Sequence, residues 1–115
     1  MIALVDTAGN RLYCTPNYSF LGDPEKMAGT DSFIDIHPED KERIKNIFFE
    51  TVRTGIGQST QYRLVLRDGS IKHIQSQGIA VKAADGRVEK VIVVSRDITE
   101  ARDAVPQPDA MTLAT

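Results

Sequence analysis

The run Val91-Ile-Val-Val-Ser-Arg-Asp-Ile-Thr-Glu100 constrains the fold more than any other stretch of this chain. Consecutive β-branched apolar residues read as a strand buried on at least one face. The run stops abruptly at the polar tetrad Asp97-Ile98-Thr99-Glu100, where Asp or Thr can cap a following helix. A central sheet strand leading directly into an output segment is the architecture this implies.

The remaining sequence divides readily around it. Ile2 to Val5 is a short apolar strand. Asp6-Thr-Ala-Gly-Asn10 supplies a hairpin loop, and Arg11 to Thr15 returns as a strand in which Leu12 and Cys14 should share a face. Residues 16–35 are irregular, with short helical turns expected around Asn17 to Leu21, Pro24 to Ala28 and Asp31 to Ile34. A helix is predicted from Pro38 to Thr54. Pro38 suits its first position, Glu39 and Asp40 face the positive end of its dipole, and Arg53 lies near the negative end. Ile44, Ile47, Phe48 and Val52 recur at helical spacing as one apolar stripe, and Gly55 and Gly57 stop the helix.

Three strands follow, over Ser59 to Arg67, Ser70 to Lys82 and Val88 to Ile98. Turn signals at Asp68-Gly69 and Ala84-Asp85-Gly86-Arg87 separate them. Beyond Arg102, Pro106 and Pro108 each remove a backbone donor, so residues 103–115 read as a flexible tail or linker. The chain begins directly at its first strand, which suggests a piece excised from a larger protein.

Composition narrows the function. In 115 residues there is room for one domain with a single modest core. A net charge of −2 argues against a nucleic-acid or anionic-membrane surface, since no basic stripe is available for phosphates. No apolar run approaches the ~20 residues of a membrane span, and no signal peptide is recognisable. One cysteine, Cys14, excludes an internal disulfide framework and makes a reducing cytoplasm the expected setting.

Four pieces in order carry a family resemblance. They are Asp6-x-x-Gly9 with Tyr13-x-Thr15-Pro16, then Ile36-His37-Pro38-Glu39-Asp40, then Arg63 with Arg67-Asp68-Gly69-Ser70, and last Gly86-Arg87 leading into Asp97-Ile98-Thr99-Glu100. Together they resemble the PAS domain, the small sensory module of bacterial signalling proteins, over roughly Ile2 to Arg102. The resemblance implies an α+β PAS fold over residues 1–102, a five-stranded antiparallel sheet with short helices and one long helix packed on one face. It also implies a homodimer, signal relay through Asp97, Ile98, Thr99 and Glu100, and a downstream effector such as a histidine kinase or a cyclic-dinucleotide enzyme. This chain departs from the family pattern in three places. Tyr18 to Gly29 is about two residues short, His73 stands where relatives often carry tryptophan, and flanking amphipathic helices are missing.

Catalysis and cofactors find little support in the residues. The flavin photosensor subtype needs a cysteine just before the long helix, whereas Cys14 lies on the second strand and reads as inert packing. His37 is the only nearby candidate for an iron ligand, and a cap or loop hydrogen bond is its simpler role. Neither haem nor flavin is therefore expected. Two isolated histidines and scattered carboxylates lack metal-ligand spacing, so no metal is expected. Asp35, Glu39, Asp40 and Glu42 read as a solvated, dipole-favoured cluster. No nucleophile–base arrangement or phosphate-cradling loop stands out, so no enzyme activity is expected; a small α+β enzyme with a polar cavity is the remote alternative.

What remains is a space between sheet and helices, where a small molecule could bind. Strand alternation points Tyr62, Leu64, Ile74, Ser76, Val93 and Ser95 toward it, with Val5, Leu12, Phe33 and Phe48 adding to its walls. The same residues would serve a filled core, in which case the domain is a ligand-free dimerisation module. Buried Ser76 and Ser95 need hydrogen-bond partners, in a ligand, a water or a neighbouring strand. On the opposite face, Ile71, His73, Ile79, Ile92 and Val94 form the expected dimer surface.

Overall fold

The computed structural model describes residues 1–17 and 26–100. Its elements are β1 (Ile2–Asp6), β2 (Arg11–Cys14), α1 (Pro38–Thr54), β3 (Ser59–Val65), β4 (Ile71–Lys82) and β5 (Val88–Asp97). The strands form one sheet in the order β2-β1-β5-β4-β3, and every neighbouring pair is antiparallel. The last strand in sequence is thus the middle strand in space, as its apolar character requires. The expected α+β architecture, one long helix on a five-stranded antiparallel sheet, is the one observed.

Local chemistry accounts for the helix boundaries. His37 is the N-cap, its Nδ1 accepting a hydrogen bond from the Glu39 amide at 3.1 Å, and Pro38 opens the first turn. Gly55 ends the helix at φ 75° and donates its amide to the Thr51 carbonyl at 2.8 Å, a left-handed cap open to a residue without Cβ. The buried stripe is Asp40, Ile44, Phe48 and Thr51, one turn apart along one face, with Ile47 and Val52 half-buried beside it.

Both edges of the sheet are covered. Along β2, the Arg11 amide donates to the Thr30 carbonyl at 2.8 Å and the Gly29 amide donates to the Arg11 carbonyl at 2.6 Å. Along β3, the His37 amide donates to the Arg63 carbonyl and the Val65 amide to the Asp35 carbonyl, each at 2.9 Å. Residues 29–37 therefore run from one edge to the other, and Phe33 and Ile36 are buried on the way. Residues 32–35 make turns with Ile34-to-Asp31 and Ile36-to-Phe33 amide–carbonyl bonds, so the helical turn expected at Asp31 to Ile34 is irregular turn structure instead. Most of the turns expected over Asn17 to Leu21 and Pro24 to Ala28, and the whole tail 103–115, lie outside the described residues.

One expectation fails at β2. Leu4 pairs with Tyr13 but Val5 pairs with Arg11, so Leu12 is the extra residue of a β-bulge. The bulge resets the alternation of the strand. Arg11 and Cys14 both turn inward and are buried, while Leu12 is 42% exposed. Leu12 is therefore removed from the cavity candidates, and it does not share a face with Cys14.

Gly57 also has a role other than the expected one. It does not stop the helix but lets two backbones meet. A Cβ added there would lie 1.8 Å from the carbonyl oxygen of Gly78 in β4.

Candidate functional site: the inner cavity and the exit of β5

The inner sheet face and α1 flank a partly open cavity of about 100 Å³. Its floor is in register across the sheet: Val5 opposite Val91, Gly78 opposite Val93, and Tyr62 opposite Ile74. Ile44, Ile47, Phe48 and Thr51 of α1 form the roof with Phe33. Phe33 and Phe48 meet edge to face, with ring centroids 5.3 Å apart, which fixes the corner of that roof. Of the residues expected to line the space, Val5, Phe33, Phe48, Tyr62, Leu64, Ile74, Ser76 and Val93 do so. Ser95 is buried opposite Ser76 on β5 and bonded to it, outside the lining.

Several polar side chains interrupt the apolar wall, Ser32, Thr51, Gln58 and Thr60 among them, and two further polar features stand out. The first is a hydroxyl chain. Ser76 and Ser95 are directly opposed on β4 and β5, and their Oγ atoms are 2.7 Å apart. Tyr62 reaches diagonally from β3 to place its hydroxyl 2.7 Å from Ser76 Oγ. Burial raises the Tyr62 pKa above that of a free phenol, with the hydrogen bond to Ser76 acting against it, so the phenol stays protonated and able to donate.

The second is Arg11, which strand alternation alone did not bring to the cavity. It is only 7% exposed and lines the space. Its Nη1 donates to Thr30 Oγ1 at 2.9 Å, and its Nη2 stands 3.7 Å from Asp35 Oδ2, beyond hydrogen-bonding distance.

At the other end of β5, the tetrad is tied to β4. The Ile98 amide donates to the His73 carbonyl and the His73 amide donates to Thr99 Oγ1, both at 2.8 Å. Asp97 accepts from the Thr99 amide and pairs with Lys72 Nζ, both at 2.9 Å. Burial pushes the Asp97 pKa up, but the bonds from Thr99 and Lys72 outweigh it and hold the carboxyl below its usual value. Helical backbone begins at Thr99, and Glu100 is exposed beside it.

Beside this exit, Asp40 at the start of α1 clamps Arg63 of β3. Its Oδ2 accepts from the Arg63 amide at 2.9 Å and Nε at 3.0 Å, and its Oδ1 accepts from Nη2 at 2.9 Å. Hydrogen bonding to Arg63 lowers the Asp40 pKa to about 2. Asp40, Arg63, His73 and Ile98 border one polar groove, so the clamp and the strand exit adjoin. Asp40 is thus itself buried and paired with the half-exposed Arg63, and is not part of the solvated cluster expected of it.

The outer face separates the expected dimer residues. Ile79 is opposite Ile92, Ile92 opposite Leu4, and Val94 opposite Ile2, which makes one apolar patch across β4, β5 and β1. Ile79 is 46% and Val94 40% exposed, and Ile92 is half-buried. Ile71 is exposed at the far end of β4, with His73, Gln75 and Gln77 between it and the patch. Ile71 and His73 are therefore not part of it. The His73 backbone holds the exit of β5 instead.

The candidate cofactor residues are already engaged. Cys14 is buried with its Sγ 3.9 Å from Met27 Sδ, and desolvation raises its pKa, which disfavours the thiolate. Nδ1 of His37 serves the helix cap. Among the described residues, no group of three or more His, Cys, Asp or Glu could hold a metal, and no helix is long and apolar enough to cross a membrane.

With this geometry in view, comparison with known proteins is specific. A family model described as PAS fold matches residues 12–95. The chain is similar to the PAS domain of a protein from Colwellia psychrerythraea, at 21% identity and TM-score 0.76 over 86% of each chain. It is similar to the N-terminal domain of a diguanylate cyclase with PAS/PAC sensor from Marinobacter aquaeolei, at 25% identity and TM-score 0.77 over 88% of this chain and 96% of that one. A sensory box histidine kinase/response regulator from Burkholderia thailandensis aligns at 19% identity and TM-score 0.71, over 89% of this chain and 79% of the other. No curated protein matches.

Proposed function

The chain belongs to the PAS fold family, and from that premise we propose that it is a non-catalytic sensory module of a signalling protein. A small molecule occupies the inner cavity, and occupancy is relayed along β5 to an effector beyond it. The carrying observation is that one strand serves both ends of this path. Val91 and Val93 of β5 line the cavity, and the same strand ends in the Asp97–Thr99 ties to β4. A ligand that pushes on Val93 acts on a rigid strand whose exit is held by a few hydrogen bonds and one ion pair, and such ties can be shifted by modest free energies. The similar domains in a diguanylate cyclase and a histidine kinase support an effector of either kind. A cytoplasmic setting accords with the single reduced cysteine.

A second reading rests on the outer patch of Ile2, Leu4, Ile79, Ile92 and Val94, which fits a second copy of the chain. Homodimerisation through this patch is compatible with ligand sensing or could be the whole function.

Native mass spectrometry of the purified protein, compared with its denatured mass, separates the two. Extra non-covalent mass on the folded species supports ligand sensing. A dimer at the bare polypeptide mass favours the dimerisation module, and a bare monomer counts against the outer patch as an interface.

A further inference from the structure

We propose that the cavity selects a small carboxylate, of about four to six heavy atoms, whose carboxyl group is held by Arg11. The inference rests on the ligand-sensing reading above and specifies its ligand class.

The argument begins with donor accounting. A guanidinium carries five N–H donors and stays charged inside proteins. Buried charges are ordinarily paired and fully hydrogen-bonded, because a desolvated cation is costly otherwise. Among the described residues, the buried Arg11 guanidinium makes one hydrogen bond, to the neutral hydroxyl of Thr30. Its only ion-pair partner there, Asp35, is 3.7 Å away with a side chain 32% exposed. The remaining donors belong to a side chain that lines the partly open inner cavity.

Much of that space is apolar, although Ser32, Thr51, Gln58 and Thr60 also reach its wall. Val5, Ile74, Val91 and Phe48 supply hydrocarbon walls. The planar fork of arginine matches a carboxylate through two parallel bonds. The Tyr62 hydroxyl is near enough for the Arg11 charge to act on its ionisation, and its one proton is available to a ligand when Ser76 donates to it. A cation is excluded by the charge of Arg11. A neutral molecule would leave that charge no better compensated. The size limit follows from volume, since a cavity of about 150 Å³ accepts benzene and this one is about 100 Å³.

The test is a titration of the folded, 15N-labelled protein followed by amide shifts at Val5, Arg11, Ile74 and Val93. The probes are sodium propionate and propionamide, which share shape and differ in charge. Saturable shifts with propionate, at an affinity at least about tenfold above that of propionamide, are expected from a charge-assisted bond. In Arg11→Gln, the preference for propionate over propionamide should vanish. Equal or tighter binding of propionamide to the unmodified protein would overturn the carboxylate assignment and leave ligand sensing standing. Propionate affinity unchanged in the variant would overturn it too. No perturbation by either probe would remove both the assignment and the cavity reading beneath it.

Discussion

Arg63, in the polar groove beside the helix start, and Arg11, in the wall of the inner cavity, treat their guanidinium groups in opposite ways. Arg63 gives Nε and Nη2 to the two oxygens of Asp40, adds a bond to Glu39, and has its own amide held by the same carboxylate. Arg11 is more deeply buried yet makes one bond to a neutral hydroxyl and keeps its carboxylate at 3.7 Å. A saturated pair joins α1 to β3 and is part of the fold. An unsaturated cation facing a cavity contributes little to stability and leaves its donors for something else. The two share their charge; they differ in hydrogen-bond completeness, and the less complete one is the more deeply buried.

Asp40→Ala should produce the largest effect and sharpen this contrast. It removes the acceptor of the Arg63 amide and of two of its side-chain bonds, leaving Arg63 only Glu39, and a loss of about 3 kcal/mol in urea unfolding is expected from these charge-assisted bonds to a buried carboxylate. A loss within a few tenths would put the clamp in the class of ordinary surface pairs.

Acid gives the next largest effect. The Asp40 carboxyl titrates at about 2 in the folded protein and at 3.8 in the reference state. A lowered folded value stabilises above the unfolded pKa and is lost as pH falls through the folded one. Roughly 2 kcal/mol should therefore disappear between about pH 4 and pH 2. The drop should be smaller by that amount in Asp40→Asn, as read from urea midpoints at both pH values.

Arg11→Met should change stability by less than about 1 kcal/mol in either direction, since a poorly compensated charge is replaced by an apolar chain of similar length. A cost as large as that of Asp40→Ala would erase the distinction between the two arginines. Smallest of all is Leu12→Lys, expected within about 0.5 kcal/mol because the bulge leaves Leu12 in solvent. A loss of several kcal/mol there would mean that Leu12, and not Arg11, points inward.

These cases also mark where the sequence is transparent. The helix was legible because its signals are local: Pro38 at the start, Ile44 and Phe48 one turn apart, Gly55 at the stop. β3, β4 and β5 were legible because alternation holds along each and Asp68-Gly69 and Asp85-Gly86 turn the chain between them. The bulge at Leu12 was not, because its cause is the pairing of β2 with β1, and nothing within Arg11–Cys14 announces a change of parity. That single slip hid the buried arginine. The Asp40–Arg63 pair and the Gly57–Gly78 contact were hidden for a related reason, as each joins residues more than twenty positions apart. Whether Tyr62, Ile74 and Val93 surround a space or fill it depends on packing, to which residue identity is blind.

Amide spectra of the 15N-labelled protein under xenon pressure test most directly whether the inner cavity is open and coupled to the exit of β5. Xenon enters enclosed apolar space without needing a specific ligand chemistry. Saturable shifts are expected at Ile74, Val91 and Val93, and with them at Ile98 and Thr99, which do not line the cavity. Spectra unchanged by xenon would contradict the open cavity, and shifts confined to the lining residues would contradict the relay.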